Sequence, residues 1–143
     1  MKKVVYNNCF GGFNLSPLAE TQYRAKKGIA LTWYQGVGEY PYSTFERVTD
    51  LEAVSKLAYR LSASTKDLGD KVKDIPGDCY FYKSYHEVEE RADPDLIEVI
   101  EKLGDRANGF CASLAIAEIP DGADFEIDKH DGDESVVPSR ISR

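Results

Sequence analysis

The sequence predicts an α+β fold in which a small, mainly antiparallel sheet packs with two to three helices. Short runs of β-branched and aromatic residues recur along the chain, bounded by glycine and proline turns, which is typical of strands. Two further segments open with Ser-Pro or Asp-Pro and keep apolar residues at helical spacing. The chain has 143 residues, 42% of them hydrophobic. This is enough to bury one core, so we expect a single domain over residues 1–143.

The first strand is predicted over residues 2–8 and the first helix over residues 17–27. The strand is rich in valine and runs into a glycine turn. Ser16 can cap the backbone N–H groups of the helix start, and Pro17 suits the first helical position. Gly28 then ends the helix.

The middle of the chain mixes both kinds of segment. Strand composition marks two runs, apolar residues at helical spacing mark a helix that Asp50 could cap, and two polar or glycine-rich stretches connect them. The predicted order is a strand over 29–35, a loop over 36–43, a helix over 50–63, a connection over 64–77 and a strand over 79–85.

The strongest helix signal begins at Asp93-Pro94 and keeps one broad apolar face as far as Ala107. We expect it to end at Asn108-Gly109, with Gly109 in the left-handed conformation that commonly closes a helix.

The remaining chain predicts two strands joined by a turn. Alternating apolar residues indicate a strand over 111–119, Pro-Asp-Gly a turn over 120–122, and Phe125 begins a short strand that ends at Ile127. The tail over 136–143 is expected to be peripheral.

Charge and cysteine content exclude several function classes. The net charge of −7 argues against broad nucleic-acid binding, which needs lysine and arginine on phosphates. Three cysteines, Cys9, Cys79 and Cys111, form no C-x-x-C motif and indicate a reducing compartment, so we expect a cytoplasmic protein. No window approaches the roughly 20 apolar residues of a membrane span.

No motif for catalysis, a cofactor or a metal is found. His86 and His130 stand in no recognisable pattern with a cysteine, so we predict that the chain is not an enzyme, although a triad can also assemble in space. The acidic run over 121–134 does not fit the calcium-loop register, and we interpret it as a solvated acidic edge.

The segment over residues 7–17 places a strand, a glycine pair and a capped helix start in succession. Backbone N–H groups at a helix start, approached closely through Gly11-Gly12, suit a phosphate, and Arg24 can add a positive charge. The motif is neither a P-loop nor G-x-G-x-x-G, so the alternative is a turn that only connects strand to helix.

Other polar and aromatic side chains can complete such a site. Arg106 and Asn108 lie at the end of the strong helix, where the helix dipole alone also explains a cation. Aromatic clusters over 33–45 and 80–85 suit base stacking or a protein interface, with core packing as the alternative. The candidate ligand-binding residues are Asn7, Phe10, Gly11, Gly12, Phe13, Ser16, Arg24, Arg106 and Asn108.

Several segments together resemble a family of short bacteriophage proteins, mostly hypothetical. They are residues 3–16, 93–97, 103–104, 107–109 and 118–121. Residues from about 36 to 85 lie outside the resemblance and are predicted to be a loop or insertion of this member.

This family is similar to the phage Thoeris anti-defence proteins, which sequester cyclic ADP-ribose isomers and, in some members, cyclic oligonucleotides. The resemblance implies a sponge for a small phosphorylated nucleotide signal, acting as a homo-oligomer, dimer or higher, in the host cytoplasm. It carries over no ligand-contacting residue.

Two other functions stay open on the residues. One is an acidic protein–protein inhibitor of a host enzyme, acting through the tyrosine-rich loops or the cluster from Asp131 to Glu134. The other is an enzyme on phosphorylated nucleotides, which the missing motifs make the weakest of the three.

Overall fold

The computed structural model describes residues 1–38, 42–51, 61–73, 88–109 and 112–138. These ranges hold eight strands and two helices, which confirms the predicted α+β class. The strands are β1 (Lys2–Asn7), β2 (Thr32–Gly36), β3 (Phe45–Arg47), β4 (Leu61–Ser64), β5 (Lys71–Val72), β6 (Leu114–Ile119), β7 (Phe125–His130) and β8 (Asp133–Pro138). The helices are α1 (Pro17–Lys26) and α2 (Pro94–Leu103), and short 3-10 turns, Val88–Ala92 and Gly104–Ala107, flank α2.

All the strand pairs of the described residues are antiparallel. β1 pairs with β6, with Val5 opposite Ile116. β2 lies at the centre of a four-stranded sheet in the order β4-β2-β3-β5, and β7 and β8 form a hairpin.

The alternation of side chains along β1 divides the core between its two faces. Val5 joins the cluster that α1 and α2 cover, together with Phe13, Tyr23 and Leu96. Val4, on the opposite face, packs with Ile119 and Ala123 against the hairpin β7–β8. The β1–β6 pair therefore lies between the helices and the hairpin.

The predicted starts of α1 and α2 are confirmed. Ser16 Oγ accepts a hydrogen bond from the Ala19 backbone N–H at 3.1 Å, and the Asp93 carboxylate accepts one from Asp95 N–H at 2.9 Å. α1 ends at Lys26, one residue before the predicted end, and Gly28 follows with a φ of +80°.

The predicted end of the strong helix is wrong. α2 stops at Leu103 because Gly104, with a φ of +58°, closes it, and a 3-10 turn follows. Gly109 has no left-handed backbone. It is needed for a close approach instead, since an added Cβ there would lie 2.7 Å from the Leu15 carbonyl oxygen.

The helix predicted over 50–63 is wrong at its end. Residues 61–64 form β4, in which Ala63 pairs with Trp33, while residues 52–60 lie outside the described residues. In a segment this short, Leu-Ser-Ala-Ser fits either period, and pairing with β2 decides in favour of the strand.

Other predicted segments in the first two thirds of the chain are partly confirmed. β2 begins at Thr32 instead of Ile29, and the predicted connection over 64–77 contains β5. The strand predicted over 79–85 and residues 39–41 of the predicted loop lie outside the described residues.

The C-terminal prediction needs the largest correction. The turn at Asp121-Gly122 and a strand from Phe125 are present, and β6 begins at Leu114, but β7 continues to His130 and a missed strand, β8, follows it. The predicted peripheral tail therefore overlaps β8, whose Val136 packs against the core, and residues 139–143 lie outside the described residues. Among the helices of the described residues, none has the length and apolar composition that a membrane crossing requires.

Candidate functional site

Asn7, the last residue of β1, joins several separate parts of the chain. Its fully buried side chain donates through Nδ2 to the carbonyl oxygens of Cys9 at 2.8 Å and Gly132 at 2.9 Å. Its Oδ1 accepts from the Ser113 backbone N–H at 2.8 Å and from the Cys9 thiol at 3.3 Å. One amide therefore holds the turn after β1 against the tip of the hairpin and the start of β6.

A buried ion pair lies next to this amide. Arg91 binds the Glu134 carboxylate through both guanidinium NH groups, at 2.7 and 3.1 Å, and only about 1% of either side chain is exposed. Glu134 Oε1 also accepts from the Asn7 backbone N–H at 2.9 Å. The Arg91 guanidinium stacks 3.5 Å from the centroid of the Phe13 ring. The two-point contact fixes β8 relative to the turn before α2, and the bond from the Asn7 N–H joins β8 to the end of β1.

The turn after β1 presents an apolar side chain to solvent. Phe10 is 70% exposed, whereas Phe13, three residues later, is buried. The backbone of this turn rests on the hairpin, because a Cβ built on Gly132 would lie 2.7 Å from the Phe10 carbonyl oxygen and 2.8 Å from Gly12 N. Gly12 has a φ of +93° and open space where a side chain would lie.

We call the turn over residues 9–12 together with the hairpin tip over residues 130–133 the tip surface. His130 and Asp131 are both strongly exposed there, with His130 Nε2 3.9 Å from the Asp131 carboxylate. Glu126 and Asp128 extend this acidic character along the exposed side of β7. The tip surface thus combines the apolar ring of Phe10 with the carboxylates of Asp131 and Asp133, and two further carboxylates lie along β7.

The predicted phosphate site requires that solvent can reach the N-terminus of α1. In the structure this N-terminus is closed, because another segment of the chain covers it. Ser16 is buried, its Oγ donates to the Arg106 carbonyl oxygen at 2.6 Å, and its N–H donates to the Ala107 carbonyl oxygen at 2.9 Å. The 3-10 turn Gly104–Ala107 therefore packs against the N-terminus of α1.

The arginine and asparagine side chains that were predicted to complete the ligand site do not surround the glycine turn. Arg24 lies on the order of 12 Å along α1 from Ser16, at about 1.5 Å per residue, and its Nε bonds Glu20 at 2.9 Å. Asn108 Oδ1 accepts from the Leu114 N–H at 2.8 Å. The Arg106 side chain is exposed beside the closed helix start.

The nine predicted residues therefore fall into three groups. Five surround the glycine turn, three surround the start of α1, and one belongs to a charged cluster between the helices. In that order, the groups are Asn7, Phe10, Gly11, Gly12 and Phe13; Ser16, Arg106 and Asn108; and Arg24.

The charged cluster between the helices shifts two pKa values. Burial first, then the carboxylates of Asp93 and Glu90 at 2.9 and 3.1 Å, raise the pKa of Tyr23 far above its ordinary value. Burial would raise the pKa of Asp93, but hydrogen bonds from Lys27, the Asp95 N–H and Tyr23 outweigh it and hold that pKa below 3.8. These contacts join α1 to α2 and have a structural role.

The aromatic residues predicted as stacking platforms divide between core and surface. Trp33 and Tyr34 are buried, and Trp33 Nε1 donates to Thr21 Oγ1 at 2.6 Å. Tyr42 and Phe45 are half-buried and meet edge to face. The second predicted cluster lies outside the described residues.

Potential metal ligands do not gather into a metal site in the described parts of the chain. No three His, Cys, Asp or Glu side chains come together there as a metal site. Cys79, Cys111 and His86 lie outside the described residues. Sequence reasoning missed Arg91. It placed Glu134 on a solvated acidic edge, which is wrong, because the structure buries this carboxylate in the ion pair with Arg91. The local signal for the hairpin was Asp-Gly between two alternating runs.

No protein-family model, no curated protein and no solved structure matches this chain. The resemblance to short phage proteins therefore stays a prediction.

Proposed function

We propose that this chain is a binding protein with no reaction of its own, and that it contacts its partner through the tip surface. The observation that carries the proposal is Phe10, a large apolar side chain that is 70% exposed on a turn held by partly buried hydrogen bonds from Asn7. Because the backbone of the turn is already held, Phe10 loses little backbone entropy on binding, and burying its ring in a partner's pocket contributes roughly 2–3 kcal/mol.

The charge around Phe10 favours a protein with a basic surface around an apolar pocket. Glu126, Asp128 and Asp131 are exposed on the same hairpin, and the whole chain carries a net charge of −7. Carboxylates around an apolar anchor speed encounter with a basic partner and exclude acidic ones. This is the acidic inhibitor among the functions predicted from the sequence.

Photo-crosslinking tests the proposal. A benzophenone-bearing amino acid replaces Phe10 in one variant and Val37, which is 43% exposed and remote in sequence, in a control variant. We expect position 10, and not position 37, to form an adduct with one basic protein of a bacterial lysate, and we expect added salt to weaken it. Equal labelling at both positions, or none, would contradict the proposal.

Capture of a small nucleotide signal is the second candidate function. It is favoured by the exposed Phe10 ring, on which a base can stack, and by the open space beside Gly12. It ranks second because phosphates would approach the carboxylate of Asp131, and like charges repel.

Ligand retention separates the two candidates. The purified protein is incubated with cyclic ADP-ribose isomers and cyclic oligonucleotides, freed of unbound ligand and heated, and the released material is identified by mass spectrometry. Intact ligand that is lost in Phe10→Ala supports capture, altered ligand supports an enzyme, and no retention removes this candidate. Light scattering of the same sample tests the predicted homo-oligomer.

A further inference from the structure

We infer that Asn7, Arg91 and Glu134 are positioning residues for the tip surface: they hold Phe10 in place for a partner that they do not touch. The inference rests on the proposed function, because it assigns these residues their role through the same surface. All three side chains are buried, Asn7 completely, so they can act on a partner only through the turn and the hairpin tip.

The bonds form one continuous path from the ion pair to both halves of the tip surface. Arg91 binds Glu134, and Glu134 accepts from the backbone N–H of Asn7. The side chain of Asn7 then donates to Cys9 in the turn and to Gly132 in the hairpin tip. The position of the Glu134 carboxylate thereby determines where the two halves meet.

Apolar packing attaches the hairpin to β1 independently of these charges. Ile127 and Val136 pack against the cluster of Val4, Ile119 and Ala123. A buried ion pair is seldom more stabilising than apolar side chains of similar volume. A two-point Arg–carboxylate contact adds orientation. It orients the Glu134 carboxylate, which bonds the Asn7 backbone, and the Asn7 side chain bonds Cys9, the residue before Phe10.

The order of the turn can be measured without any partner. In a Cys79→Ser, Cys111→Ser background, Cys9 is the sole thiol, and in the folded turn it donates to Asn7 Oδ1 at 3.3 Å. Its reaction rate with a dithionitrobenzoate reagent reports opening of the turn. We expect Glu134→Gln to raise this rate about tenfold, the effect of losing one hydrogen bond between charged groups.

Matched variants separate positioning from general stability. Glu98→Gln removes an exposed carboxylate from α2, far in sequence from the tip, and should leave the Cys9 rate unchanged. Arg91→Lys keeps the charge but loses the fork, and should raise the rate less than Glu134→Gln. Crosslinking from position 10 should fall in the same order, about tenfold for Glu134→Gln.

An unchanged Cys9 rate in folded Glu134→Gln, or in Arg91→Lys if the first variant does not fold, would overturn the inference. A variant in which the Cys9 rate rises but crosslinking from position 10 is unchanged would overturn the inference as well. If the parent protein gives no crosslink while the Cys9 rate responds as expected, the proposed function fails and the buried path still orders the turn.

Discussion

At the residue scale, Gly132 and Gly122 share a left-handed backbone, with φ values of +86° and +80°, but differ in their surroundings. A Cβ on Gly132 would lie 2.7 Å from the Phe10 carbonyl oxygen, whereas a Cβ on Gly122 would meet nothing within 4 Å. Position 122 therefore requires glycine only for its left-handed backbone, whereas position 132 also leaves no space for a side chain.

Alanine at these two positions should separate the two requirements. We expect Gly122→Ala to cost about 1–2 kcal/mol of the free energy of unfolding, for the left-handed backbone alone. Gly132→Ala should cost about 3 kcal/mol or more, because the backbone of the turn must also shift. Urea unfolding of both variants measures this difference, and equal losses would show that the turn does not rest on Gly132.

The Asp93 carboxylate should make stability depend on acid. Because its pKa is lowered in the folded protein, the stability it contributes is present above its unfolded pKa and is lost as pH falls through the folded value. Asp93→Asn keeps a cap for α2 but removes the charge. We expect Asp93→Asn to be less stable than the parent at about pH 7 and nearly equal to it at about pH 2. Urea unfolding at both values tests this, and a difference independent of pH would count against it.

At the element scale, α1 depends on its cap more than a surface helix does. Ser16 Oγ accepts from the Ala19 N–H and donates to the Arg106 carbonyl oxygen, so it links the helix start to the turn after α2. Both bonds are lost together if the hydroxyl is removed.

Ser16→Ala should therefore lower the free energy of unfolding by about 2 kcal/mol, the upper end for a helix cap. Ser135→Ala, at an exposed position of β8, is the control and should change it by less than about 0.5 kcal/mol. Thermal unfolding followed by circular dichroism compares them. A similar small effect for both would mean that the cap contributes little.

Elements with local signals were predictable, and elements held by distant partners were not. Ser16-Pro17 and Asp93-Pro94 mark helix starts because the capping atoms lie within three residues of the groups they bond. β4 has no such signal, since its hydrogen bonds run to β2, about 30 residues away in the chain.

At the scale of the whole molecule, the Arg91–Glu134 pair joins the segment before α2 to the C-terminal hairpin across the end of β1. Both groups lose their hydration on folding, so each depends on the other for compensation. Removing the Glu134 charge leaves the Arg91 guanidinium buried without its carboxylate, whereas removing Arg91 leaves Glu134 only the longer contact with Lys129, whose Nζ lies 3.8 Å from Glu134 Oε2.

A double-mutant cycle should show this dependence. Arg91→Met or Glu134→Gln alone should cost about 3–5 kcal/mol of the free energy of unfolding. The double variant should cost less than the sum of the two by about 1–3 kcal/mol, because no unpaired charge remains. Glutamine keeps an acceptor for the Asn7 N–H. Additive losses would show that the two charges do not depend on each other.

The candidate site was predictable only where it is contiguous in sequence. The glycine turn can be found from residues 9–12 alone, but the exposure of Phe10 cannot. Arg24 was expected nearby and bonds Glu20 in a cluster between the helices. The proximity of Phe10 to Gly132 depends on the path of more than a hundred residues between them.

The sequence by itself determined the α+β class, the starts of both helices and the glycine turn, because caps, turns and periodicity act over a few residues. Only the tertiary structure decided that the start of α1 is closed and that Glu134 is buried. It also decided that the turn after β1 rests on the hairpin tip. These are properties of segments far apart in the chain, and the packing of β1 between helices and hairpin brings them together.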